Sequence, residues 1–381
     1  ETQLWQAGIV GSYSASASIR ADKGDLGLLR GNLCYSVKGL ARNQLAMTQL
    51  LDQSLRKVKF SESQRLREIV SQIRAGREAS LVGNGHLLAM NSAASELSLS
   101  AHLNHRWNGL PGISWIKELD GKVQNADCLA RLSKRLNEIH RIILQQPRQY
   151  VLISEGPKIP SFIDVMENIF SAGSVFKEIS QDESQITYQP PLAAKNVCWT
   201  TNTQVSFCAK AYPTVASTHK DAPALTVLGG VLRNGYLHTK IREQGGAYGS
   251  GASQDNQNGT FRFFSYRDPR IKGTLQDFDE SVNWLLGTDL SDEKVEEAIL
   301  GVISTLDKPG SPAGEAMSAF HGELNGRNKE QLMDFRDRVL SVKSTDLKAV
   351  AENYLKPEMG FSSVITNTEL CEESEMEIIS V

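Results

Sequence analysis

The sequence lacks paired cysteines, long apolar runs and a strong excess of either charge. Its cysteines are odd in number, widely spaced and in no Cys-x-x-Cys pair: Cys34, Cys128, Cys198, Cys208 and Cys371. This pattern argues against a disulfide framework and a cysteine-based metal site, and it favours a reducing compartment such as the cytoplasm or an organelle matrix. No run approaches the roughly 20 apolar residues that span a bilayer, so we expect no membrane partner.

The charge balance also excludes a class of partner. The formal net charge is −3 over 381 residues, which provides no basic field to attract nucleic acid. A composition of 40% hydrophobic and 22% charged residues is typical of globular domains, and the length predicts two or three of them. The opening "ETQLW" is neither a signal peptide nor an initiating methionine, so we expect a piece of a longer protein.

The usual motifs of hydrolases and nucleotide-binding proteins are missing as well. The sequence contains no His-Glu-x-x-His or inverse zinc motif, no Gly-x-Ser-x-Gly elbow and no Walker loop. The nearest approach to a metal pair is His102 and His105, with Glu96 upstream, but the spacing offers no general base and suggests an exposed helix end. The other histidines, His238 among them, are expected to be surface or packing residues. We therefore predict no metal ligand and no catalytic residue in this chain.

What is present begins with a weak internal repeat. Two segments that start at Asn43 and at Gly273, 230 residues apart, resemble each other. In each, an amphipathic helix precedes a second helix, for which Ser61 or Ser291 is the predicted N-cap. Upstream, "QAGIVGS" from Gln6 resembles "QGGAYGS" in the second copy. The alternative interpretation is two unrelated helical hairpins.

The order of predicted elements indicates an α+β fold. From about residue 195 the pattern reads strand, strand, helix, strand, strand, two or three helices and a final strand, which is typical of a mainly antiparallel sheet covered by helices. The helix from Ala222 to about Arg242 carries an apolar stripe. The first copy lacks the counterpart of about 195–231, and a predicted strand that starts at Tyr150 closes it.

We therefore predict two related sandwich domains, joined through a helical region that starts near Glu62. The first domain, residues 1–190, is expected to be incomplete at its N-terminus, and the second, residues 191–381, to be complete and to fold. Missing strands should leave a sheet edge or an apolar helix face of the first domain uncovered, which favours self-association.

One short stretch could carry a binding function. In "KIREQGGAYGSG" (Lys240–Gly251), Arg242 and Tyr248 flank two glycines, so a sharp reversal could bring a guanidinium and a phenol to one side of a cavity. Such a pair can donate hydrogen bonds to a peptide carbonyl and to its oxyanion. The first copy keeps the glycine turn but has Leu4 and Val10 at the corresponding positions. The alternative is a glycine-capped helix followed by a packed tyrosine.

Longer runs carry a family resemblance. The run "LHTKIREQGGAYGSGAS", followed by "NGTFRFFSYRDPRIKGTLQDFDESVNWL", resembles the last domain of pitrilysin/insulinase-type zinc metallopeptidases in the presequence-protease branch. The run "VKFSESQRLREIVSQIRAGREASLVGNGHLLAMNSAA" resembles the third domain of the same branch. Together the resemblance covers most of the chain.

The resemblance implies four related α+β domains in two halves that close around a chamber. The zinc and its ligands would lie in the N-terminal half, and Arg242 and Tyr248 would hold the peptide substrate. This chain would then be the non-zinc-binding, substrate-holding C-terminal half of a zinc metalloendopeptidase that degrades unfolded oligopeptides.

Its partners would be a peptide and the N-terminal catalytic half, on the same or a separate polypeptide. The alternative is a non-catalytic peptide-binding or assembly module that partners a separate zinc-bearing chain. In either case the chain alone is expected to bind no zinc and to hydrolyse no peptide.

Overall fold

The computed structural model describes Gln6 and residues 8–170 and 196–381. The described strands are β1 (Val10–Ala21), β2 (Leu29–Gly39), β3 (Val197–Thr200), β4 (Phe207–Pro213), β5 (Gly249–Asp255), β6 (Thr260–Tyr266), β7 (Phe361–Thr366) and β8 (Glu377–Ser380). The first group of helices is α1 (Gln44–Arg56), α2 (Ser63–Gly83), α3 (Gly85–Ala93), α4 (Leu99–Asn108), α5 (Leu110–Lys122), α6 (Ala126–Gln145) and α7 (Ile159–Phe170). The second group is α8 (Ala222–Leu232), a π-helix (Arg233–Gln244), α9 (Lys272–Gly287), α10 (Asp292–Leu306), α11 (Pro312–Leu324), α12 (Lys329–Leu340), α13 (Ser344–Tyr354) and α14 (Thr368–Glu372).

A six-stranded sheet organises the second part of the chain. Its order is β5-β6-β4-β7-β3-β8, with antiparallel pairing from β5 to β7 and parallel pairing of β7 with β3 and of β3 with β8. Strand β4 is buried on both faces, which explains its nearly continuous apolar sequence. This sheet and its helices confirm the predicted α+β class.

Helices cover both faces of this sheet. On one face lie α8 to α13, and the stripe predicted along α8 and the π-helix is buried: Leu225, Leu228, Val231, Leu232 and Ile241. On the other face lie α3, α4 and α5, which come from the first part of the chain and pack on Phe207, Ala209, Ala211 and Ile365. The two parts therefore share one apolar core.

The contact between α3 and the sheet is unusually close. Gly85 opens α3, and a Cβ at this position would stand 2.5 Å from the Phe207 ring. Further along the same helix, Ser92 Oγ accepts a hydrogen bond of 2.8 Å from the buried Trp199 indole. A glycine at the first position and a small polar residue at the second thus let the helix lie flat on the sheet.

The first part repeats a portion of the second. The hairpin β1-β2 is followed by α1 and α2, just as the hairpin β5-β6 is followed by α9 and α10, in agreement with the predicted repeat. Ser291 is the N-cap of α10 as predicted, whereas α2 is capped by Glu62 and not by Ser61. The predicted boundary at residues 190 and 191 lies outside the described residues and stays a prediction.

Two predicted features of secondary structure are wrong. Residues 150–155 form no strand, because β7, the final strand of the second copy, lies between β3 and β4, and the described residues of the first copy contain no counterparts of those strands. Tyr150 instead stacks on Phe170, with ring centres 4.6 Å apart. Five helices, α9 to α13, follow β6 where two or three were predicted, since short turns divide the helical pattern.

The cysteine prediction also needs correction, because Cys198 and Cys371 form a buried disulfide. These residues are 173 positions apart in the sequence. The parallel pairing of β3 with β8 brings α14, which carries Cys371, beside β3. Spacing along the chain could not reveal this contact. The free cysteines are Cys34, Cys128 and Cys208.

No helix within residues 8–170 or 196–381 is both long enough and apolar enough to cross a membrane.

Candidate functional site

The site begins in an uncommon type of helix. Helix α8 continues directly into the π-helix, whose backbone bonds join residues five apart; such helices are rare and often occur at functional sites. Leu237 and Ile241 anchor it in the core, while Arg242 is exposed on its last turn. The buried residues therefore fix the helix, and the exposed arginine is available for another purpose.

A glycine turn ends this helix. Gly246 has a φ of 81°, a conformation that glycine adopts without strain, and its N–H donates to the carbonyl of Arg242 over 3.1 Å. The next N–H, of Ala247, donates to the carbonyl of Ile241, also over 3.1 Å. Because the neighbours of Arg242 and Tyr248 are bonded to each other, the two functional candidates lie on opposite arms of one rigid turn.

The exposure of Tyr248 decides between the two interpretations of this turn. Its side chain is 71% exposed, and its ring meets the edge of Tyr266 with centres 5.8 Å apart. The helix is capped as the alternative interpretation predicts, and Arg270 reinforces the cap by donating to the carbonyl of Lys240 over 3.4 Å. The tyrosine, however, is not a packed core residue, so capping does not account for it.

His238 is a residue of this site that the sequence interpretation missed. Its Nε2 lies 3.2 Å from Nη1 of Arg242, and its Nδ1 lies 3.4 Å from Oε1 of Glu243. A guanidinium can only donate, so Nε2 is the acceptor and Nδ1 carries the proton that points to Glu243. The signal was available in the sequence, because His238 and Arg242 are four residues apart on one helix.

The segment after β6 supports the turn from below. Asp268 is buried, and its carboxylate accepts hydrogen bonds from the backbone of Arg270 (2.9 Å) and from the Thr274 hydroxyl (2.7 Å). Burial raises the pKa of this carboxyl group, and the hydrogen bonds oppose that rise. Asp268 is thus a structural residue, and Tyr266, two positions earlier, provides the ring under Tyr248.

The histidine pair does not fit a metal ion. His102 Nδ1 lies 3.5 Å from Glu96 Oε1, while His105 is only 8% exposed and packs its ring on Trp199 at 5.8 Å. His105 is therefore inside the protein, contrary to the predicted exposed helix end. Among the described residues, no group of three or more His, Cys, Asp or Glu side chains could hold a metal. No zinc-dependent step can be assigned to the residues of this chain.

Taken together, the turn presents hydrogen-bond donors on a fixed backbone. Arg242 and Tyr248 can both donate to an oxygen atom of a ligand, and His238 orients Arg242. Proton transfer and nucleophilic attack have no evident agent here, because the carboxylate of Asp268 is buried and that of Glu243 faces His238. The arrangement suits binding and charge stabilisation.

Comparisons with known proteins agree with this picture. The family described as "PreP C-terminal domain" matches residues 197–367, and a second family, described as associated with subgroup C of the M16 peptidases, matches residues 1–119. The chain is 29% identical over 364 residues to a mitochondrial presequence protease of Yarrowia lipolytica, covering 95% of the chain and 36% of the relative. It is 30% identical over 329 residues to a mitochondrial presequence protease of Drosophila melanogaster, covering 86% and 31%. The chain thus spans about a third of the length of these relatives.

Solved structures show the same fold at low sequence identity. A protease from Helicobacter pylori superimposes with a TM-score of 0.65 at 15% identity, covering 96% of this chain and 84% of the other. A peptidase M16 inactive domain from Pseudomonas fluorescens gives a TM-score of 0.58 at 15% identity, covering 96% and 83%. The matched families, the relatives and the fold agree, and the chain belongs to the presequence-protease branch of the pitrilysin-type peptidases as their C-terminal half.

Proposed function

We propose that this chain is the substrate-holding half of a zinc metalloendopeptidase that degrades unfolded oligopeptides. The observation that carries the proposal is the exposure of Arg242 and Tyr248 on the two arms of the glycine turn. Neither side chain fills the core, and the turn fixes both backbones before any ligand binds. Preordered donors of this kind lose little entropy on binding and can stabilise charge that develops during a reaction.

In this proposal Arg242 and Tyr248 bind the carbonyl oxygen of the peptide and support its negative charge as the carbon becomes tetrahedral. His238 holds Arg242 in place by accepting a hydrogen bond from its guanidinium. The zinc and the catalytic base would come from the N-terminal half, because the described residues of this chain provide no ligand set for the metal. Residues 1–190 and 191–381 would be the third and fourth peptidase-like units.

The compartment is part of the same proposal. Relatives from Yarrowia lipolytica and Drosophila melanogaster are named as mitochondrial proteins. We extend this assignment to the present chain and propose an organelle matrix as its location. The N-terminal half would be present there, either on the same polypeptide or as a separate subunit.

The test uses the chain together with its N-terminal half and an unstructured fluorogenic peptide. Tyr248→Phe and Arg242→Ala should each lower turnover on the order of 10²–10³-fold, as the loss of one oxyanion donor typically does. Arg233→Ala is the matched control: this arginine begins the same π-helix and bonds only to Asn234 among the described residues. Near-normal cleavage by both site variants would contradict the substrate-holding role.

A second measurement separates the alternative of an assembly module. If the N-terminal half alone cleaves the peptide as fast as the two halves together, this chain contributes no substrate contact. A zinc-bearing half that needs this chain, but tolerates both substitutions, would indicate an assembly role.

A further inference from the structure

Arg267, the residue after β6, has a strained backbone. Its φ is 50°, in the left-handed region where the Cβ of an L residue crowds the following carbonyl. The surrounding structure holds it there, because Ser206 and Asp268 on its C-terminal side exchange two backbone hydrogen bonds of 2.8 Å. Strain of this kind persists where the fold over-determines a residue, and it is concentrated at functional sites.

The first copy of the repeat shows what the backbone alone requires. Val10, which corresponds to Tyr248, pairs across the hairpin with Gly39. In the second copy the pairing of Gly249 with Tyr266 places Arg267 opposite Tyr248. Glycine thus occupies the position in one copy, and arginine occupies it in the other despite the strain. The side chain of Arg267, and not the backbone, is what needs an explanation.

The charge of Arg267 has no carboxylate partner in the described part of the chain. The side chain is exposed, and its guanidinium carbon lies 5.4 Å from the centre of the Tyr266 ring. Arg270 behaves differently, because it donates to Asp277 Oδ2 over 2.8 Å. One arginine is used to hold the fold together, and the other is a cation laid over an aromatic ring and open to solvent.

Arg267 also adjoins the candidate site directly. The N–H of Tyr248 donates to the carbonyl of Tyr266 over 3.0 Å and lies 3.4 Å from the carbonyl of Arg267. The Tyr266 ring contacts both Tyr248 and Arg267. The phenol and this second guanidinium therefore flank a single ring.

We propose that Arg267 is a third substrate-contacting residue and that it binds a carboxylate of the bound peptide, either the C-terminal carboxylate or an acidic side chain. This inference rests on the proposed function. A peptide carbonyl needs only the donors that Arg242 and Tyr248 supply, whereas a second unpaired guanidinium offers a planar fork that matches both oxygens of a carboxylate. Glu243, the acidic residue next to Arg242, faces His238 and leaves this cation open.

The test separates strain from binding within one substitution. Arg267→Gly removes the cation and suits the left-handed backbone, so its melting temperature should equal or exceed that of the wild type. Three unlabelled peptides of one sequence are titrated by calorimetry: the first has a free C-terminus and no acidic residue, the second is its C-terminal amide, and the third is the amide with one glutamate. We expect the variant to bind at least one carboxylate peptide about tenfold or more weakly and the acid-free amide as the wild type does.

Two control variants sharpen the result. Glu375 also has a left-handed φ, 59°, and pairs with Lys272 away from the site, so Glu375→Gly should leave binding of all three peptides unchanged. Arg267→Lys keeps the charge but not the fork and should recover part of the lost affinity.

The free C-terminus and the glutamate arms identify which carboxylate is bound. A lower melting temperature for Arg267→Gly, unchanged binding of all three peptides, or an equal loss for the amide would each overturn the inference. If the wild-type chain binds none of the peptides, the proposed function fails with it, whereas binding that ignores Arg267 but needs Arg242 defeats this inference alone.

Discussion

Gly85 and Phe207 touch so closely that no side chain fits between them. One residue opens helix α3 in the first part of the chain, and the other opens strand β4 in the second. The site on the π-helix turn therefore stands on a sheet whose opposite face is closed by helices from far earlier in the sequence.

Gly85→Ala should destabilise the protein. The new methyl group would lie 2.5 Å from the Phe207 ring, and overpacking of this kind typically costs about 1–3 kcal/mol. Gly76→Ala in α2 is the matched control, because no atom lies within 4 Å of the added Cβ, and alanine in an exposed helix should stabilise by up to about 1 kcal/mol. Urea unfolding of both variants measures the difference, and equal stability would refute the close contact.

His238→Ala should weaken the site without unfolding the protein. The substitution removes the acceptor that orients Arg242, so we expect weaker peptide binding by this chain and slower cleavage by the two halves together. His238→Gln is the informative companion, because its amide oxygen can still accept from the guanidinium and should restore part of the effect. The prediction fails if His238→Ala binds and cleaves like the wild type.

The cysteines give a prediction about oxidation state. Alkylation of the purified, denatured protein without reductant should modify Cys34, Cys128 and Cys208 and leave Cys198 and Cys371 blocked. After reduction, all of them should react. Because the cross-link constrains a long loop in the unfolded chain, reduction should lower stability, typically by about 2–4 kcal/mol. Full alkylation before reduction would rule the disulfide out of the isolated protein.

Stability should also depend on pH through His105. Burial, with a smaller contribution from His102, lowers the pKa of His105 to about 4. The unfolded chain, with an ordinary pKa of about 6.5, takes up the proton first as the pH falls. Folding is therefore favoured at neutral pH and loses about 3 kcal/mol from this residue between pH 6.5 and pH 4.

The variant His105→Phe keeps an aromatic ring against Trp199 and removes the titration. Unfolding in urea should show a smaller loss of stability in the variant than in the wild type when both are taken from pH 7 to pH 4. A parallel loss in the two proteins would indicate that His105 is not the group that titrates.

The sequence predicted the features that local patterns determine. The apolar stripe along α8 and the π-helix, the hairpin β5-β6 and the helices between Glu62 and His140 follow from periodicity and turn residues, and they are present. The family resemblance led to the same half-enzyme that the comparisons support. The roles of Arg242 and Tyr248 remain predictions.

Features that depend on distant contacts were missed. The pairing of β3 with β8 has no signature along the chain, so neither β8 nor the disulfide of Cys198 was predicted. Tyr150 begins a strand-like run, but a strand forms only where a partner is available. His105 looked exposed because polar residues flank it in the sequence, yet the neighbouring sheet buries it under α4.

The shared core has a consequence for how the duplicated unit can be reused. An ancestral repeat is modular when each copy closes its own sheet, but here α3 to α5 of one copy seal the sheet of the next. A chimaera that transplants residues 196–381 alone would carry an open apolar surface onto its new scaffold. Any exchange between homologues must therefore move the segment from Gly85 to Ile113 together with the sheet it covers, so that the seam, more than the linker, marks the heritable unit.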